Sequence, residues 1–197
     1  MRRCLVAAAL LAAAAALPAR ASAQEPGGGS RGFVFGLGGG ISSVRDARTD
    51  ERGTGAMFNL RAGFRVGRGI TPVVEVAGHR LFDELLPIGT AATSPVLKTA
   101  AMLASVQVEL PRAFYVRPGV GWGNHAFVVP DSATTDEGLL YTAHESGSAA
   151  ELAVGRTLVV ARVVPIAIEG VALWTRGGDN SGNRLSVGVQ LVALLRP

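Results

Sequence analysis

Ala56–Val66 reads AMFNLRAGFRV, and its alternation decides the architecture. Successive side chains of an extended strand point to opposite sides. Phe58, Leu60, Ala62, Phe64 and Val66 therefore share one face, and Asn59, Arg61, Gly63 and Arg65 share the other. The first face is wholly apolar, while the second carries two arginines and cannot touch lipid. The same period runs outward along the chain in both directions. Ile70–His79 sets Ile70, Pro72, Val74 and Val76 against Thr71, Val73, Glu75 and His79, and Lys98–Leu110 sets Met102, Ala104, Val106 and Val108 against Ser105, Gln107 and Glu109. Phe114–Asn124 sets Val116, Val120 and Trp122 against Arg117, Gly119, Gly121 and Gly123. Ser148–Arg156 places Leu152 and Val154 opposite Glu151 and Gly155, and Val160–Trp174 places Val164, Ile166 and Ile168 opposite Glu169. Leu185–Leu194 sets Leu185, Val187, Val189 and Leu191 against Ser186, Gly188 and Gln190. Gly32–Ser42, where Phe33, Phe35, Leu37 and Ile41 share a face between glycines, makes eight strands.

The connections alternate in length. Those after the second, fourth and sixth strands are tight (Gly67-Arg68-Gly69, Pro111-Arg112-Ala113 and a few residues near Thr157), whereas those after the first, third, fifth and seventh are long and polar. An up-and-down antiparallel meander gives this pattern when its two ends face different surroundings. The chain of 197 residues is 48% hydrophobic, yet beyond its first two dozen residues no apolar run reaches the ~18 residues of a spanning helix. Helical membrane proteins are thereby excluded. Each strand is close to the ~9–11 residues that cross a bilayer when tilted. The expected fold is all-β: an eight-stranded antiparallel up-and-down transmembrane β-barrel over residues 32–197.

Residues 1–23 read as a cleaved signal peptide. Arg2 and Arg3 form its basic start, Cys4–Leu17 its apolar stretch, and Ala21-Ser22-Ala23 a small-x-small cleavage site. Residues 24–31 follow as a flexible lead-in. Removing Arg2, Arg3 and Arg20 takes the net charge from +4 to +1, so no basic stripe remains for nucleic acid. Cys4 is the single cysteine and falls within the signal, which leaves the mature chain without a disulfide, thiol nucleophile or cysteine-based zinc site.

On these segments the chain resembles the small eight-stranded outer-membrane barrels of the OmpA/OmpX type. Tyr115-Val116-Arg117-Pro118-Gly119-Val120-Gly121-Trp122-Gly123 is similar to a mid-barrel strand of that family. The family commonly closes on an aromatic residue, whereas this chain reads Leu194-Leu195-Arg196-Pro197 there. The resemblance implies the outer membrane of a Gram-negative-type cell, with periplasmic termini and short turns. It implies external loops at roughly 45–55, 81–97, 125–147 and 175–183. The implied partners are outer-membrane lipid and lipopolysaccharide and the barrel insertion machinery. A thin interfacial girdle would come from Phe64, Phe114, Trp122 and Trp174.

The inward-facing charges Arg61, Arg65, Glu75, Glu109, Arg117, Glu151 and Glu169 are expected to form a paired lumen network, since an eight-stranded barrel is just wide enough for side chains to fill and lone buried charges are costly. His79, His125 and His144 fall at the loop-side ends of strands with no compact ligand spacing, so no metal or other cofactor is assigned. His144-Glu145-Ser146 faintly resembles the His-x-Ser of outer-membrane lipid A deacylases, with Glu151 a conceivable orienting carboxylate, although Gly147 stands where those enzymes carry Asn. The external loops read as acidic, Asp46 and Glu145 among their residues, against Arg68, Arg112, Arg156 and Arg196 at the opposite end.

Three functions remain open: a non-enzymatic outer-membrane barrel working through its loops, a soluble periplasmic barrel with its apolar face turned inward on a small ligand, and a lipid A-modifying enzyme. Among these, the sparse lysine and the small residues of the polar face favour a cramped lumen inside a membrane-embedded wall.

Overall fold

The computed structural model describes residues 32–47, 52–67, 69–81, 98–130, 140–158, 165–177 and 182–195. Eight strands follow one another: β1 (Gly32–Asp46), β2 (Arg52–Arg65), β3 (Ile70–Leu81), β4 (Lys98–Glu109), β5 (Phe114–Pro130), β6 (Leu140–Leu158), β7 (Ile166–Arg176) and β8 (Asn183–Leu195). Each pairs antiparallel with its neighbour in sequence, and β1 pairs antiparallel with β8, closing the barrel. Closure satisfies the ladder hydrogen bonds of every strand without an open edge, the condition for a sheet to sit in hydrocarbon.

Both faces follow the parity expected from the sequence. Phe58, Leu60, Phe64, Ile70, Val74, Val76, Met102, Val106, Leu152, Val154, Leu185, Val187 and Leu191 stand exposed on the outside, and Arg61, Glu75, Gln107, Arg117, Glu151, Glu169 and Gln190 are buried inside. The most open large apolar residues are Trp122 at 75% exposed, Val120 at 66% and Leu37 at 65%. Along β1 the exposed apolar residues run from Phe33 to Ile41, about 27 Å of strand, which a ~40° tilt reduces to roughly 20 Å along the barrel axis. Phe33 and Phe64 meet edge to face at 5.2 Å at one border of this belt.

The turn end is built tightly. Val66 N–H donates to the Ile70 carbonyl at 3.1 Å, and Leu110 N–H to the Phe114 carbonyl at 2.8 Å. Gly69 takes φ +85° there, a value that glycine adopts without a Cβ clash. A tight turn, Pro111–Ala113, joins β4 to β5, with Arg112 and Ala113 both at φ 62°.

The strands are longer than the apolar alternation predicts. β1 continues to Asp46, β2 begins at Arg52, β5 runs to Pro130 and β6 begins at Leu140. The connections at this end therefore shrink from the expected 45–55, 125–147 and 175–183 to 47–51, 131–139 and 177–182. Beyond the belt a ladder needs backbone pairing but no apolar face, and β5 and β6 pair without interruption to Pro130↔Leu140. In the seventh strand the order is reversed. It starts at Ile166, with Pro165 before it, and the expected Val160–Val164 portion falls in 159–164, outside the described residues. The expected signal peptide and lead-in, 1–31, also lie outside them.

Candidate functional site

The lumen is held by arginine. Arg61 on β2 reaches across to β7 and donates to Glu169 at 2.5 Å, and Arg117 on β5 reaches the same carboxylate at 3.1 Å. Arg117 also pairs with Glu75 on β3 and with Glu151 on β6, the latter at 3.1 Å. Tyr115 O–H donates to Glu169, as does the Gln190 amide at 2.7 Å. Glu169 thus takes hydrogen bonds from β2, β5 and β8, and the group as a whole ties strands that share no ladder. Nearer the turn end, Arg65 and Glu109 make a separate pair at 2.5 Å, partly open to solvent.

All seven charges expected inside the lumen stand on its face, although they form two groups rather than one. The larger group holds two arginines and three carboxylates, all but fully buried. Two of its supports escaped the sequence reading. Tyr115 and Gln190 share the inward parity of Arg117 and Ser186, which was the available signal. Small residues opposite large ones provided another: a Cβ on Gly36 would lie 2.7 Å from Arg61, and one on Gly155 would lie 2.3 Å from the Tyr115 ring.

A second polar layer lies toward the loop end. His79, Thr99 and His125 are successive Cα partners across β3, β4 and β5, and His125 pairs in turn with Glu145 on β6. His79 Nδ1 is hydrogen-bonded with Ser42 Oγ, and Arg184 donates to Asp46 at 3.1 Å. These positions correct the expected picture. His79 and His125 are buried lumen residues rather than solvated ones at loop boundaries, because the strands carrying them extend past them. Asp46 and Glu145 belong to strands, not to acidic loops, and Asp46 is buried in its ion pair. The described residues contain no group of three His, Cys, Asp or Glu side chains placed to hold a metal.

The outer wall sorts charge by sign. All six carboxylates among the described residues, Asp46, Glu75, Glu109, Glu145, Glu151 and Glu169, occupy lumen-facing positions, whereas the charged side chains that stand exposed among those described are arginines: Arg45, Arg52, Arg112 and Arg176. Arg156, half-buried at the turn end, lies with its guanidinium 5.3 Å from the Phe114 ring centroid.

No protein-family model and no curated protein matches the chain. Solved structures do. Neisserial surface protein A (NspA) superposes with a TM-score of 0.61 at 12% identity over 86% of this chain and 99% of its own. Ail, the attachment invasion locus protein of Yersinia pestis, gives 0.58 at 11% identity over 85% of this chain and 99% of its own, in a complex with the heparin analogue sucrose octasulfate. This is the fold of the small eight-stranded outer-membrane barrels. An outer-membrane barrel turns its apolar side chains to lipid, and Leu60, Val74, Val120 and Leu191 point that way here.

That orientation removes the basis for a barrel binding an apolar ligand inside, which needs the opposite parity. The deacylase-like reading also loses its proposed partner. Ser146 is exposed, on the face of β6 opposite to the one carrying Glu151, and Glu151 is buried against Arg117. Neighbouring parity on one strand cannot bring that carboxylate to the Ser146 side of the wall.

Proposed function

We propose that the chain is an integral outer-membrane protein of a Gram-negative-type envelope, exported by a cleaved signal peptide and inserted by the barrel insertion machinery. Its role is non-enzymatic: the barrel anchors the projecting hairpins, of which β5–β6 is the longest, and these contact ligands, other cells or the medium. Lipid and lipopolysaccharide surround the wall. The observation that carries this reading is the continuous exposed apolar belt around a lumen filled by ion pairs, an arrangement with no favourable surroundings in water. The lumen network supports a structural rather than a conducting interior, because its charges are spent on one another across the barrel.

Fractionation of expressing cells, followed by gel mobility of the detergent-extracted envelope before and after boiling, tests it. Recovery in the outer membrane with a mobility shift on boiling is the expected result. A soluble pool without such a shift would overturn the membrane reading. Surface proteolysis then separates the topologies: cleavage of intact cells within 131–139 is expected, and protection of that segment with cleavage near Arg112 would invert the orientation.

A further inference from the structure

Three of the four arginines that stand exposed among the described residues, Arg45, Arg52 and Arg176, lie at one end of the wall. Arg45 and Arg52 are direct Cα partners on β1 and β2, both exposed on the outer face. Directly opposed side chains of this kind have Cβ atoms about 5 Å apart. On the other side of β1, Arg45 pairs with Leu185, and Leu185 pairs with Trp174. The row therefore reads Arg52, Arg45, Leu185, Trp174 around the barrel. Arg176 follows Trp174 by two residues on the same face and is exposed as well. Its Cα lies two strands across and two residues along from that of Arg45, roughly 12 Å by strand geometry.

Height on the wall indicates what meets this cluster. Ile41 and Phe58 are the last strongly exposed apolar residues of β1 and β2 before the loop end. On the outer face Ser43 follows Ile41 on β1, Ala56 and then Thr54 follow Phe58 on β2, and Arg45 and Arg52 stand beyond them. Four residues from Ile41 to Arg45 span about 13 Å of strand, or roughly 10 Å along the axis at the usual tilt. The arginines thus stand where a bilayer changes from acyl chains to headgroups. The half-exposed Leu185 and Trp174 beside them suit that border, where an aromatic residue keeps its apolar body toward lipid.

We propose that Arg45, Arg52 and Arg176, with Leu185 and Trp174 beside them, bind the phosphate-bearing headgroup of an anionic lipid in the leaflet at the loop end of the barrel. This rests on the membrane-spanning reading above. A phosphate group can accept from more than one guanidinium fork, so it suits two arginines set opposite one another better than a single carboxylate does. Every described carboxylate faces the lumen, so none of them shares the outer face with these arginines. At the turn end Arg112 is exposed without a second arginine as its strand partner, and Arg156 lies over Phe114.

Trp122 and Trp174 are the two tryptophans of the chain, so Trp122→Phe leaves Trp174 as a local reporter. The full chain with this change, refolded in a nonionic detergent, is titrated with bisphosphorylated lipid A, dephosphorylated lipid A and inorganic phosphate while Trp174 emission is followed. The expected result is a saturable response to the phosphorylated lipid alone. Arg45→Gln/Arg52→Gln raises its half-saturation by about tenfold or more and Arg176→Gln by about threefold, as loss of charge-assisted contacts requires. Arg112→Gln, at the other end, leaves it unchanged. Equal responses in the Arg45→Gln/Arg52→Gln protein, equal weakening by Arg112→Gln, or a response to inorganic phosphate alone would each overturn the proposal. If the double variant fails the mobility test of folding, Arg176→Gln decides by itself. Failure of the membrane reading shows separately, as absence of the boiling shift for the unsubstituted chain refolded in phosphatidylcholine vesicles.

Discussion

Replacing Glu169 or Glu151 by glutamine removes one formal charge from the same buried cluster, yet the two changes should differ severalfold in cost. The cluster contains Arg61 and Arg117 against Glu75, Glu151 and Glu169, an excess of one carboxylate. Charge count alone would make either substitution favourable, since each brings the cluster to neutrality. Contacts separate them. Glu169 accepts from Arg61 at 2.5 Å, Arg117 at 3.1 Å, Gln190 at 2.7 Å and the Tyr115 hydroxyl. Glu151 meets Arg117 at 3.1 Å, and Arg117 retains Glu75 and Glu169 when Glu151 is neutral.

Glu169→Gln leaves Arg61, 2% exposed, without the carboxylate it reaches across the lumen, and breaking a buried pair in this way costs about 3–5 kcal/mol. Glu151→Gln keeps an amide oxygen for Arg117 and removes the excess negative charge, so its cost should fall within about 1 kcal/mol of zero. Urea unfolding of the barrel refolded in phosphatidylcholine vesicles, followed by tryptophan emission in both directions, measures the difference. Arg61→Met/Glu169→Leu provides the control, because removing both partners of a buried pair costs less than removing one. Equal losses for Glu151→Gln and Glu169→Gln would refute the division of labour among the carboxylates. A double variant as unstable as the sum of its two single changes would refute the pair itself.

Other substitutions probe the wall. Leu60→Arg puts a charge in the middle of the belt and should destabilise a membrane-inserted barrel by about 2–4 kcal/mol, with loss of vesicle insertion, whereas Ser43→Arg at the border should be tolerated; indistinguishable insertion of the two would count against the assigned belt. Phe33→Ala and Phe64→Ala, measured singly and together, should show a coupling of about 0.5–1.5 kcal/mol from their edge-to-face contact, and strictly additive losses would deny that contact. Gly121→Ala places a Cβ 1.9 Å from the Met102 carbonyl oxygen, where backbone must shift, so unfolding stability should fall by about 1–3 kcal/mol; an unchanged urea midpoint would show that β4 and β5 approach less closely.

Parity made the wall legible in advance. A period of two survives any uncertainty about where a strand ends, so Phe58, Leu60, Arg61 and Glu75 could be placed on their faces before strand lengths were known. Ends were less legible because two different forces set them. Within the belt, lipid demands apolar side chains and the pattern is strict. Past Ile41 or Trp122 only the ladder matters, and polar residues such as His125, Glu145 and Asp46 continue it without announcing themselves. For this reason His79, His125, Asp46 and Glu145, expected at loop boundaries or in loops, became lumen residues. Partner choice was illegible for a further reason. Arg61 is the direct cross-strand neighbour of Glu75, yet it donates to Glu169 on the far side of the barrel. Side chains as long as arginine make the lumen network a property of the closed cylinder, not of adjacent strands.

Closure also accounts for the sorting of charge. Inside, a carboxylate can be reached by guanidinium groups from several strands at once, and Glu169 shows the geometry fully used. Outside, the wall curves away, so neighbouring side chains diverge and an anionic residue would have to be satisfied by its own strand pair or by what surrounds the barrel. An arginine there can rise along its aliphatic stem to meet headgroup phosphate, while a short carboxylate at the same height would face those phosphates with like charge. Arg45 and Asp46 show both solutions one residue apart: parity sends Arg45 outward beside Arg52 and Asp46 inward to Arg184. Exchanging them, Arg45→Asp with Asp46→Arg, would keep composition and net charge while reversing both environments, so its effect on lipid A binding and on unfolding isolates placement from charge itself. Loss of both is expected, and retention of either would show that the sign of the rim, rather than its facing, had been incidental.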